Sequence, residues 1–167
     1  MDTMKTLLTR QAVRRYPATQ ITAEQLQQLL QAANAAPVGM GEYDNFHLTV
    51  VQSPAVIEQL ERFSDRHPYY GAPTVIIVSA KSPGPMELLS IGGIVENMAL
   101  SATELGLASC DILGAIAMGV AKDSALSRQI GIPTGFQPCF SLAVGQTSAP
   151  LSQRTPTTKR ITTNFVR

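Results

Sequence analysis

Charge is scarce in this chain. Asp, Glu, Lys and Arg make up 15% of its 167 residues and cancel to a formal net charge of +1. No broad basic field exists for nucleic acid, although a local basic site for one phosphate is compatible with that balance. Histidine is almost absent. With only His47 and His67, and no GxSxG elbow, the sequence offers no Ser-His-Asp triad. No HExxH, Cys/His cluster or Walker motif occurs, so metal ligation and nucleoside triphosphate chemistry are unsupported. Gly39-Met40-Gly41 lacks the third glycine and the preceding strand of a dinucleotide fingerprint. Gly92-Gly93, inside an apolar segment, reads as close helix packing. The two cysteines, Cys110 and Cys139, have neither CxxC nor metal spacing. They read as reduced, buried thiols of a cytosolic protein. The longest apolar runs, 74–80 and 115–121, are too short to span a membrane. Residues 1–10 hold only Leu7 and Leu8 where a signal peptide needs an apolar core, which predicts a cytoplasmic chain.

The apolar fraction, 44%, is that of a globular domain, and 167 residues fit a single one covering 1–167. Low charge leaves room for a subunit interface. Residues 3–10 predict a short helix. Pro17 then makes 14–19 extended. Thr22 with Gln25 three residues later is a capping box, and Leu26, Leu29, Leu30 and Ala33 follow at helical spacing until Pro37. Residues 46–51 read as a strand in which His47 faces solvent. Ser53-Pro54 opens a helix with Val56, Ile57, Leu60 and Phe63 inside. The continuous Val/Ile run at 74–79 reads as a central strand covered on both faces. The longest helix, 87–105, has so few charges that burial on most sides is expected, and Gly106 ends it. A short strand at 107–112, helical pieces at 115–121 and 124–130, and a strand at 139–145 follow. Residues 146–167 are polar and irregular, yet end in apolar Ile161, Phe165 and Val166. Such a tail is expected to dock on something, a partner subunit being the natural candidate.

A chain without strong nucleophiles, metals or acid–base pairs is suited to borrowing its reactivity from a cofactor. Specific stretches point to which one. Arg10-Gln11-Ala12-Val13-Arg14-Arg15-Tyr16 resembles the "RRSxRxF" opening of nitroreductase-type flavoproteins. Leu29-Leu30 through Ala35-Ala36-Pro37, the strand Phe46-His47-Leu48-Thr49-Val50-Val51, and Tyr70-Gly71-Ala72-Pro73 before a Val/Ile strand are similar to family features in the same order. So are Glu96-Asn97-Met98-Ala99-Leu100 running into Leu105-Gly106-Leu107-Ala108-Ser109-Cys110, and the turn Gly131-Ile132-Pro133-Thr134-Gly135-Phe136-Gln137-Pro138. Each match is weak alone, but in sequence over nearly the whole chain they are specific.

The resemblance implies an α+β, nitroreductase-like fold. An antiparallel-rich central sheet is flanked by helices, and the C-terminal tail is exchanged with the partner of a homodimer. It implies FMN at the dimer interface and two-electron, ping-pong transfer from NAD(P)H to a nitro compound, quinone or similar small acceptor. No side chain is assigned a catalytic role, since the flavin carries the chemistry. The implied cofactor contacts are Arg10, Gln11, Ala12 and Arg14; Pro37, Val38, Gly39 and Gly41; Leu113 and Gly114, whose backbone faces flavin N5; and the basic pair Lys159-Arg160. Arg suits the phosphate as a bidentate partner. A cation at Arg14 near the pyrimidine edge favours reduced flavin. Without the resemblance, Arg10, Arg14, Lys159 and Arg160 would read as ordinary solvated charges. The chain also departs from the pattern. Ala12 replaces a hydroxyl residue, Val38 and Gly41 replace the usual Ser and Asn, and one residue is inserted, which leaves the amides of Gly39 and Gly41 as substitute donors. This altered loop motivates an alternative, a non-catalytic flavin carrier or sensor on the same fold.

Overall fold

A computed structural model describes residues 2–167. Helix α1 spans Thr3–Thr9, with Asp2 accepting the Lys5 N–H at 3.0 Å. The capping box forms in full: Gln25 N–H donates to Thr22 Oγ1 (3.2 Å) and Thr22 N–H to Gln25 Oε1 (2.9 Å), and α2 occupies Ala23–Asn34. Strand β1 is Phe46–Val51. Helix α3, Pro54–Glu61, begins without a side-chain bond from Ser53, contrary to expectation. The proline at its first position already holds the helical φ. Strand β2, Thr74–Ala80, is buried at every residue. Helix α4, Pro85–Glu104, starts earlier than the apolar pattern indicates, because Pro85 takes the first position and Glu87 accepts the Gly84 N–H at 3.0 Å. It stops where Gly106 adopts φ 72° and the Leu107 N–H reaches back to Ala102 O at 2.8 Å.

Strand β3 is Ala108–Ile112, and α5 is Gly114–Met118. The helix expected through 121 is divided after Met118, and a 3₁₀ turn covers Val120–Lys122. Gly119 lies so close to Phe63 that a Cβ would meet its ring at 2.4 Å. Helix α6, Ser124–Gln129, and strand β4, Gln137–Gly145, complete the regular structure. The strand order is β1-β2-β4-β3, and every pairing is antiparallel.

Alternation along β2 sends Ile76 and Val78 to one face and Val75 and Ile77 to the other. Leu29, Ala33, Ile94 and Met98 of α2 and α4 cover the first. Leu60, Ile116 and Leu126 of α3, α5 and α6 cover the second. This three-layer arrangement is why β2 is apolar throughout.

Three expectations need correction. His47 is half-buried, its ring 5.7 Å from that of Phe136, over which Lys81 Nζ sits at 5.5 Å. Cys139 is only half-buried, beside the register shift where β4 carries an extra residue opposite Val78 and Ser79. Helix α4 leaves one side bare: Leu88 and Leu89 are exposed, and a Cβ at Gly92 would meet nothing within 4 Å. Gly92 therefore serves no packing within the chain, and Gly93 faces Pro37 O only at ordinary contact distance, 3.7 Å. Among the described residues, no helix is long and apolar enough to cross a membrane.

One buried charge fixes the approach to β2. Glu61 accepts the N–H groups of Tyr69 (3.0 Å) and Gly71 (2.7 Å), across a turn in which His67, Tyr70 and Gly71 all have positive φ. Removing an acceptor from two amides leaves both unsatisfied. Glu61→Ala is expected to lower unfolding free energy by about 2–4 kcal/mol in urea titrations.

Candidate functional site

Helix α1 ends at Thr9, and the backbone then turns to run beside the free edge of β3. Ala12 forms a parallel bridge with Ser109, and the Val13 N–H donates to Ser109 O at 2.8 Å. This course swings Arg10 between β3 and α4. Its Nη1 lies 3.5 Å from Asp111 Oδ2 and its Nε 3.5 Å from Glu96 Oε1. The side chain is only one-fifth exposed, and Nη1 is buried with no hydrogen-bond partner. Arg10 is therefore not a solvated helix-end charge.

The neighbouring groups feel this cluster. Burial pushes the Glu96 carboxyl up from the usual carboxylate range. Arg10 and Arg154 draw it back, while Asp111 adds to the rise. Burial likewise raises the Cys110 thiol, with Arg14 the strongest opposing charge. Tyr16 is raised chiefly by burial as well, and its hydroxyl donates to Ala143 O at 3.4 Å. Arg14 itself is exposed.

The tail returns to the same place. A helix leaves its last carbonyls without intrahelical partners, and α1 has no basic residue in its last turn. Arg154 supplies the missing donors: its Nη2 donates to Leu7 O at 2.6 Å, and its Nε and backbone N–H donate to Leu8 O at 3.3 and 2.9 Å. Gln11 Nε2 adds a bond to Ser152 O at 3.4 Å. Two open clefts result. One, of about 410 Å³, is lined by Leu8, Arg154, Thr157, Thr158 and Arg160. The other, about 380 Å³, lies between Gln11, Arg14 and residues 147–151. Lys159 and Arg160 are exposed. The proximal tail thus docks on its own chain, and residues 155–167 are all exposed.

The remaining predicted residues lie on two other segments, 37–41 before α4 and 113–114 directly after β3. Pro37 and Val38 lead into a loop that lies on the start of α4. Gly39 N–H donates to Ser90 Oγ (3.0 Å) and Gly41 N–H to Val38 O (3.1 Å), so both amides expected to serve as substitute donors are already engaged. Met40, at φ 56°, projects with 84% exposure. Ser90 and Glu96 share α4 with a rise of about 9 Å between them. Leu113 is exposed, and Gly114 opens α5. A Cβ at Gly114 would approach only Met118, at 3.6 Å, so nothing within the chain demands glycine there.

Sequence reasoning gave no role to Asp111, Glu96 or Arg154. Arg154 lies in an irregular segment with no periodicity to flag it. The one available cue was the uncapped end of α1.

A model of the nitroreductase family matches residues 7–67 and 64–146. The chain belongs to the nitroreductase family. Solved structures agree. A nitroreductase from Bacteroides fragilis NCTC 9343, with bound FMN, shares 30% identity over 99% of this chain and 100% of that one, with a TM-score of 0.82. A nitroreductase from Desulfitobacterium hafniense DCB-2, also with bound FMN, shares 24% identity over 99% and 100%, again at 0.82. The NADPH:FMN oxidoreductase from Vibrio harveyi complexed with NAD+ matches in fold, with 18% identity, coverage of 98% and 77%, and a TM-score of 0.76.

In this nitroreductase-family chain, Arg154 fastens the tail to α1. Arg154→Ala is expected to make residues 147–160 several-fold more susceptible to limited proteolysis, read by mass spectrometry, while the sheet stays intact by circular dichroism.

Proposed function

We propose that this chain is an FMN-dependent oxidoreductase that uses NAD(P)H to reduce nitro compounds, quinones or similar acceptors, and that it works as a homodimer. The observation that carries the reading is the Nη1 of Arg10, buried beside Asp111 yet making no hydrogen bond. An orphaned cationic donor is costly unless an anion completes it, and a flavin phosphate has the oxygens to do so. FMN, when bound, would supply two-electron redox chemistry of the ping-pong kind between NAD(P)H and the acceptor.

The chain's own residues bind and orient. Arg10 and Arg14 from the N-terminal segment, with Lys159 and Arg160 from the tail, supply positive charge, and Gln11 and Ala12 carry the backbone between them. Gly114, which has no packing reason to be glycine, leaves its backbone open to a flat ring. Leu113 and the loop Pro37, Val38, Gly39 and Gly41 provide a largely apolar wall that excludes water. No side chain is placed as a general acid, so solvent supplies protons. The exposed Leu88, Leu89, Leu113, Ile161, Phe165 and Val166 support a subunit interface, with residues beyond 155 crossing to the partner. Two unpaired cysteines suit a reducing, cytoplasmic setting. The reading treats 1–167 as one functional domain.

The purified protein is expected to be yellow and to be bleached by NADH or NADPH under anaerobic conditions. A colourless protein that takes up no FMN would refute the reading. A yellow protein that oxidises NAD(P)H no faster than free FMN would be the carrier or sensor that the altered 38–45 loop suggests. Arg10→Ala is expected to weaken FMN binding by about 1.5–3 kcal/mol, measured by quenching of flavin fluorescence. Deleting the tail from Pro150 onward is expected to yield a monomer in sedimentation, with reduced flavin occupancy.

A further inference from the structure

Arg10 already has company. Two carboxylates from different elements, Glu96 on α4 and Asp111 on β3, flank its guanidinium at 3.5 Å each. Neither distance makes a hydrogen bond, and Nη1 stays unpartnered. The acids therefore act on Arg10 as charges and do not saturate its donors. Both stand where an anion approaching Arg10 would feel them. Arg154 bears on Glu96 from the tail, and Arg14 faces Cys110 and Tyr16 from the N-terminal segment. The sequence has also lost a neutral donor here, because residue 12 is Ala.

We propose that Glu96 and Asp111 form an anionic counter-site that competes with a phosphate for Arg10, so that these two carboxylates, rather than the number of basic residues, set how tightly this chain holds a phosphorylated flavin. The inference rests on the flavin-phosphate reading above. Two like charges about 6 Å apart in a half-wet site repel by roughly 1 kcal/mol, and more against a dianion, before salt screening. Neutralising one carboxylate at constant shape removes that repulsion and leaves Arg10 fully charged. The loss of its counter-charge also leaves more of the Arg10 field available to the phosphate. Glu96 and Asp111 thus set affinity and are not catalytic residues.

The test compares FMN with riboflavin, which has the same ring but no phosphate. Dissociation constants are read by flavin fluorescence on wild type, Asp111→Asn and Glu96→Gln stripped of cofactor, at fixed pH and low salt. Both variants are expected to bind FMN about three- to tenfold more tightly, with the gain shrinking as salt rises, and to bind riboflavin as wild type does. FMN affinity unchanged or weakened in both variants would overturn the proposal, since the acids would then be inert or would orient Arg10. Equal gains for FMN and riboflavin would overturn it too, because the effect would not pass through the phosphate. If wild type itself binds no FMN, the functional reading fails, an outcome separate from the variants' behaviour.

Discussion

Helix α1 is two turns long, and its last carbonyls need donors that its own sequence does not provide. Arg154 meets that need from the far end of the polypeptide, with three bonds to Leu7 and Leu8. The same helix end delivers Arg10, and the segment after it is held to β3 by Val13 and Ala12. One set of unsatisfied backbone groups thus brings Arg154 of the tail to the helix end that delivers Arg10. The sheet and its helices give that place a floor and its negative charges, Asp111 on β3 and Glu96 on α4.

The electrostatics follow from the same convergence. Arginine is always protonated and tolerates partial burial only with compensation. Glu96 and Asp111 provide some, at ion-pair rather than hydrogen-bond distance. Burial raises the Glu96 carboxyl and Arg10 draws it back, while one guanidinium nitrogen remains buried without a hydrogen bond. A site poised in this way favours a ligand whose charge and oxygens complete it. Elsewhere the surface is apolar, with Leu88 and Leu89 exposed on α4 and Ile161, Phe165 and Val166 exposed in the tail.

Much of the fold was legible because periodicity and local chemistry agreed. The capping box at Thr22 and Gln25, the doubly covered strand 74–80 and the glycine stop at 106 are signals spanning a few residues, and each appears as read. Misreadings arose where a distant contact decided the outcome. Phe63 packs against Gly119 where the helix divides, Phe136 lies beside His47, and among the described residues none would touch a Cβ at Gly92. The motif singled out Arg10, which the structure places largely buried, but gave no sign of the carboxylates that flank it. Asp111 and Glu96 lie far from Arg10 in sequence, and no spacing rule connects a helix end to a strand edge and another helix. The amides of Gly39 and Gly41 show the same limit: their freedom depended on Ser90, on the opposing helix, and on a turn closing through Val38 O.

The grip of residue 154 on residue 8 turns most of the polypeptide into a non-covalent ring joining residues 146 positions apart. Closing so long a ring carries an entropic penalty that grows only with the logarithm of its length, so the clasp costs little more than a short loop would. Opening it releases only the two loose ends, because the sheet within the ring has its own cores on either side. Local opening of the ends is thereby separated from loss of the two cores that flank the sheet.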